Sequence, residues 1–78
     1  MSIGFKVDEG DVVAVVVYGT PDTVQYEMGL KNPYNIMRYV QGKGRISHDF
    51  KINKSGRHYF YVTNMRNVDL DIEAAIIY

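Results

Sequence analysis

Asp11-Val12-Val13-Ala14-Val15-Val16-Val17-Tyr18-Gly19 is the stretch on which the fold turns. Residues 12–18 form the longest apolar run of the chain, far short of the ~20 needed to cross a bilayer as a helix. Valine is stiff at χ1 and packs well on a pleated surface, so a valine-rich run between Asp11 and Gly19 reads as a strand. Alternate residues of a strand point to opposite sides. Val12, Ala14, Val16 and Tyr18 therefore share one side, and Val13, Val15 and Val17 share the other. A strand that is apolar on both sides is covered on both.

Outward from this run, turn signals cut the chain into short segments of period two. Ile3, Phe5 and Val7 alternate with polar or small neighbours before the Asp8-Glu9-Gly10-Asp11 turn. After Gly19-Thr20-Pro21-Asp22, the residues Val24, Tyr26, Met28 and Leu30 point away from Gln25, Glu27 and Lys31. Ile46, His48, Phe50 and Ile52 repeat the pattern beyond Gly42-Lys43-Gly44. Lys54-Ser55-Gly56 is a turn in which Gly56 suits a positive φ. His58 to Asn64 is the next strand, and Val68, Leu70, Ile72 and Ala74 then alternate with Asp69, Asp71 and Glu73. Residues 34–44 fit either one helical turn or an irregular strand. Six to seven short strands predict a single all-β domain over residues 1–78, a small antiparallel β-sandwich of jelly-roll-like type. An OB-like or SH3-like barrel is the alternative.

The 78 residues include no cysteine, which excludes disulfides and thiolate metal sites. Met1 to Lys6 lacks the apolar stretch of a signal peptide. The expectation is a chain that stays where it is made, or a domain cut from a longer one, with no transmembrane segment. Charge is segregated along the sequence. Residues 1–30 carry Lys6 against Asp8, Glu9, Asp11, Asp22 and Glu27, a balance of −4. Residues 31–66 carry eight cations against Asp49 alone, a balance of +7, and residues 67–78 carry Asp69, Asp71 and Glu73, a balance of −3.

From Phe50 onward the sequence reads Phe-x-Ile-x-x-x-Gly-x-x-Tyr-x-Tyr-x-x-Asn and closes on Ile76-Ile77-Tyr78. Together with Phe5-Lys6-Val7-Asp8-Glu9-Gly10-Asp11 ahead of an apolar strand, this resembles a GOLD (Golgi dynamics) domain. The resemblance implies a β-sandwich built for protein–protein and sometimes lipid contacts, with no catalytic residues to transfer. The cysteine pair of the membrane-bound members has no counterpart here.

No motif for a cofactor, a metal or catalysis emerges, and the expectation is a binding module rather than an enzyme. Ser47-His48-Asp49 holds the residue types of a hydrolytic triad, but strand neighbours face opposite sides, so His48 cannot reach both. If Lys54-Ser55-Gly56 closes a hairpin, His48 and His58 lie roughly 13 Å apart at strand rise, too far to share a metal. Asp69, Asp71 and Glu73 read as a solvated acidic face.

The favoured function is self-association or docking on a protein partner. Val13, Val15 and Val17 need a covering that so thin a sandwich lacks, with Tyr59, Tyr61 and Ile77 as companions at the interface. Acidic ends and a basic middle also let the molecule attract its own copies. The alternative is a ligand-binding module for anionic surfaces or carbohydrate, using Arg38, Tyr39, Lys43 and Arg45 in the 34–44 loop. Peripheral membrane contact is compatible with that alternative. Nucleic acid is disfavoured, because the total charge is zero and acidic strands would repel phosphate.

Overall fold

The computed structural model describes residues 2–78, which form seven strands and no helix. They are β1 (Ser2–Val7), β2 (Val12–Thr20), β3 (Gln25–Lys31), β4 (Met37–Lys43), β5 (Arg45–Lys51), β6 (Gly56–Asn64) and β7 (Asp71–Ile77). Four of them make one sheet in the order β1-β6-β3-β4, and three make the second in the order β5-β2-β7. All pairings are antiparallel. The chain is an all-β sandwich. Its pairs are nested, β3 with β4 inside β2 with β5 inside β1 with β6, which is the wrapped-hairpin logic of a jelly roll. β7 is then laid against the free side of β2.

The two inner faces interlock as sandwich sheets do. Tyr26, Met28, Phe50 and Phe60 are the largest fully buried side chains, and Phe5, Val7, Leu30, Ile46 and Ile52 pack with them in the core. Val24, Tyr26, Met28 and Leu30 all point inward, as their alternation requires. One corner joins the sheets. Gly44 alone separates β4 from β5 and adopts φ 64°, a left-handed conformation that a side chain would strain. Its carbonyl accepts the Gly19 N–H of β2 at 2.9 Å and the Tyr26 hydroxyl of β3 at 2.6 Å. Residues from both sheets thus meet at one backbone oxygen.

Several expectations need correction. Val13, Val15 and Val17 are not an outer patch awaiting a partner. Each is 0% exposed and faces the other sheet inside this single chain. The register explains it, because Val13 and Val17 lie beside Phe50 and Ile46 on β5, which share the inner face. Sequence apolarity marks both sides of β2 alike and leaves open which side goes in.

Residues 34–44 hold no helical turn; β4 takes up Met37–Lys43, as the strand alternative has it, so Arg38, Tyr39 and Lys43 lie on a strand and not in a loop. Asn32 Oδ1 accepts the N–H groups of Tyr34 and Ile36, folding a short turn ahead of β4. The Lys54-Ser55-Gly56 turn bridges the two sheets instead of closing a hairpin, since β5 pairs with β2 and β6 with β1 and β3. Gly56 does take a positive φ, 132°.

Candidate functional site

Because Phe5 and Val7 face inward, Gly4 and Lys6 face out, and the register carries that outer face across the four-stranded sheet. Gly4 pairs with Tyr59, and Lys6 with Arg57. Tyr59 lies beside Lys31 and then Met37, while Tyr61 lies beside Gly29 and then Tyr39. Tyr59 and Tyr39 are 40% and 57% exposed. Two glycines set the posture of two rings. A Cβ at Gly4 would sit 2.8 Å from the Tyr59 ring, and one at Gly29 would sit 2.8 Å from the Tyr61 hydroxyl oxygen. The two tyrosines therefore lean over the bare backbone of their neighbours, Tyr59 over Gly4 of β1 and Tyr61 over Gly29 of β3. An open hollow of about 450 Å³ beside them is lined by Ser2, Lys31, Met37, Tyr59 and Tyr61.

Tyr61 is held further by Glu27. Its hydroxyl donates to Glu27 Oε2 at 3.0 Å, and Gln41 Nε2 donates to Glu27 Oε1 at 3.0 Å. Partial burial, then the hydrogen bond to Glu27 and that carboxylate's charge, push the Tyr61 phenol up to about 12. On this face Lys6, Lys31, Lys43 and Arg57 stand against Glu27 alone, a balance of +3.

The outer face of the three-stranded sheet is different in kind. Val12, Ala14, Val16 and Tyr18 run down its middle on β2, with Ala75 and Ile77 of β7 beside them. Val12 and Tyr18 are 54% and 50% exposed, and Ile77 is 67% exposed. On the β5 flank stand Arg45, Ser47, Asp49 and Lys51; on the β7 flank stand Asp71 and Glu73. Arg45 donates from Nε to the Tyr18 hydroxyl at 3.3 Å and lies 5.8 Å over its ring. Arg45 and Glu73 both pair with Tyr18, so they sit at one height on either side of it.

A third feature is a pocket of about 240 Å³ at one end of the sandwich, whose lining includes Leu30, Arg38, Lys51, Lys54 and His58. His58 is buried, with Nδ1 3.2 Å from the Gly56 carbonyl. The acidic β1–β2 turn is tied to the same end, Gly10 N–H to Ile52 O at 2.8 Å and Glu9 N–H to Ser55 Oγ at 2.8 Å.

The two residue sets read from the sequence are dispersed by the fold. Tyr59 and Tyr61 lie on the outer face of one sheet, Ile77 on the outer face of the other, and the three valines between them. Of the anion-binding set, Tyr39 and Lys43 share the tyrosine face, Arg45 is on the opposite side of the molecule, and Arg38 borders the end pocket. Arg38 lies 5.8 Å over the Phe50 ring. Val12, Ala14, Val16 and Tyr18 were signalled by the same two-sided run. Gly4 and Gly29 left no signal, because their meaning depends on which strand lies beside them. His48 is exposed on edge strand β5, edge-on to Phe50 at 4.6 Å, and does not approach a triad. Among the described residues no cluster of three or more His, Asp or Glu could hold a metal ion, and no helix is long and apolar enough to cross a membrane. No family model, curated protein or solved structure matches the chain.

Proposed function

We propose that this chain is a non-catalytic interaction module that self-associates through the outer face of β5-β2-β7. One observation carries the reading: an apolar strip of small side chains, Ala14, Val16 and Ala75, between a flank with Arg45 and a flank with Glu73. Small residues make the face flat enough for a second sheet to lie on it, with strand directions within about 30°. A two-fold axis parallel to β2 keeps height and exchanges left for right. Val16 then meets its own copy, and Arg45 of one molecule lies over Glu73 of the other. The face is three strands wide and about four ladder rows long, some 14 by 20 Å at ordinary sheet spacings. That is small against the ~1,200–2,000 Å² of a standard interface, so the dimer is a weak one.

The GOLD-like pattern in the sequence supports the same class of role. Sedimentation velocity across a concentration series is the test. A dimer forms at high micromolar concentration, Val16→Lys abolishes it, and Arg45→Glu or Glu73→Arg weakens it. The double reversal Arg45→Glu/Glu73→Arg restores it, because each new charge faces its complement. A species that stays monomeric throughout, or charge reversals without effect, removes the proposal.

A further inference from the structure

We propose that the tyrosine face of β1-β6-β3-β4 binds single-stranded nucleic acid, stacking bases on Tyr59, Tyr61 and Tyr39 and meeting phosphates with Lys31, Lys43 and Arg57. This is a different face from the one assigned to self-association, and the two stand or fall separately. Against nucleic acid stand the neutral total and the acidic strands, but folding carries most of those acidic groups away from the tyrosine face. Asp49, Asp71 and Glu73 flank the outer face of the other sheet, and Asp8, Glu9 and Asp11 belong to the β1–β2 turn. What remains on the tyrosine face is a surplus of +3, against a chain total of zero.

A polyanion alone would ask only for cations. The rings ask for something flat. Tyr59 and Tyr61 lean over Gly4 and Gly29 on the outer side of the sheet, where their rings are within reach of a base. They are two residues apart on β6, about 7 Å at strand rise, and lean to opposite sides of it, Tyr59 over β1 and Tyr61 over β3, so a nucleic-acid strand crossing β6 obliquely meets one ring and then the other. Tyr39 continues the platform across Gly29. Stacking tolerates any base, because every base has a π-face, and a cationic border tracks the backbone. Double-stranded nucleic acid keeps its bases inside and cannot use the rings. A neutral sugar could use the rings but gains nothing from the cations.

The test is fluorescence anisotropy of a labelled oligothymidylate of about ten nucleotides, titrated with the full chain at several salt concentrations. Affinity falls as salt rises, with a log–log slope near −2 for about three phosphates. Tyr59→Ala weakens binding roughly 5- to 100-fold, while Tyr59→Phe, which keeps the π-face, restores it. Lys43→Glu, an exposed change that does not threaten the fold, weakens binding and reduces the magnitude of the slope by about one. Val16→Lys on the opposite sheet leaves binding unchanged. Heparin bound as well as the oligonucleotide and indifferent to Tyr59→Ala would mean a surface for polyanions only, and overturns the proposal. So does a salt-independent preference for a neutral oligosaccharide, or no oligonucleotide binding at low salt.

Discussion

The hydroxyl of Tyr26 is a polar group at the floor of an apolar core, and it is tolerable there because the Gly44 carbonyl receives its proton. Burial raises its pKa above the ordinary 10.0, and burial does the same for Tyr61, with Glu27 adding to it. The consequence for stability has a definite sign. Below pH 10 both phenols are neutral, folded or unfolded, and the contribution is whole. Above pH 10 an unfolded chain gives up these protons while the folded one retains them, for Tyr61 up to about 12, so stability falls as pH rises. Thermal melts from pH 8 to 12 check this. Tyr61→Phe flattens the alkaline decline without affecting the neutral plateau much. Tyr26→Phe lowers the plateau itself by about 1 kcal/mol, since Gly44 O keeps its bond from Gly19, and that lowers Tm by roughly 4–8 °C. A wild-type Tm unchanged up to pH 12 contradicts the argument.

At the scale of the element, β2 separates what the sequence discloses from what it withholds. Strand identity, and the expectation that both its sides matter, follow from period-two geometry and composition alone. Val24-to-Leu30 was legible for the same reason, since one side is plainly polar, and so was Ile46-to-Ile52 except at His48, which its place on edge strand β5 leaves exposed and not against the core. Which side of β2 turns inward was not, because Val13-Val15-Val17 and Val12-Ala14-Val16 are nearly equal in apolarity. That choice is made by long-range pairing, chiefly Val13 beside Phe50. The tyrosines were legible among the cations of the basic middle, but which of them share a face was not: Tyr39, Tyr59 and Gly4 come from three strands whose adjacency no local pattern encodes. The two sides of β2 respond differently to a charge. Val15→Lys buries an unpaired ammonium among fully enclosed neighbours and unfolds the chain. Val16→Lys, on the outer side, keeps the native circular dichroism spectrum. The reverse outcome would mean the strand is turned the other way.

Over the whole molecule, the two long sides of the sandwich are closed unequally. On one side β4 passes directly into β5 through Gly44, whose oxygen gathers bonds from β2 and β3. On the other side β1 and β7 have no such connection, and the ring of Tyr78 stacks on Phe5 at 4.7 Å. Leu70, Ile72, Ala74 and Ile76 are only partly buried there, whereas Ile46 and Phe50 on β5 are enclosed. All four strands β1, β4, β5 and β7 are sheet edges, so edge position alone predicts equal protection from hydrogen exchange. The unequal closure predicts instead that amides of β1 and β7 exchange before those of β4 and β5. Uniform rates across the four would show the asymmetry to be energetically idle.

Bound along one margin and loose along the other, the domain is made like a book with a spine. Its least demanding excursion is a parting of the covers about Gly44, which wets Phe5 and Ile76 long before the pages nearest the fold of the binding. Either printed outer cover can be read while the volume stays shut, and anything that clasps the fore-edge would hold it so.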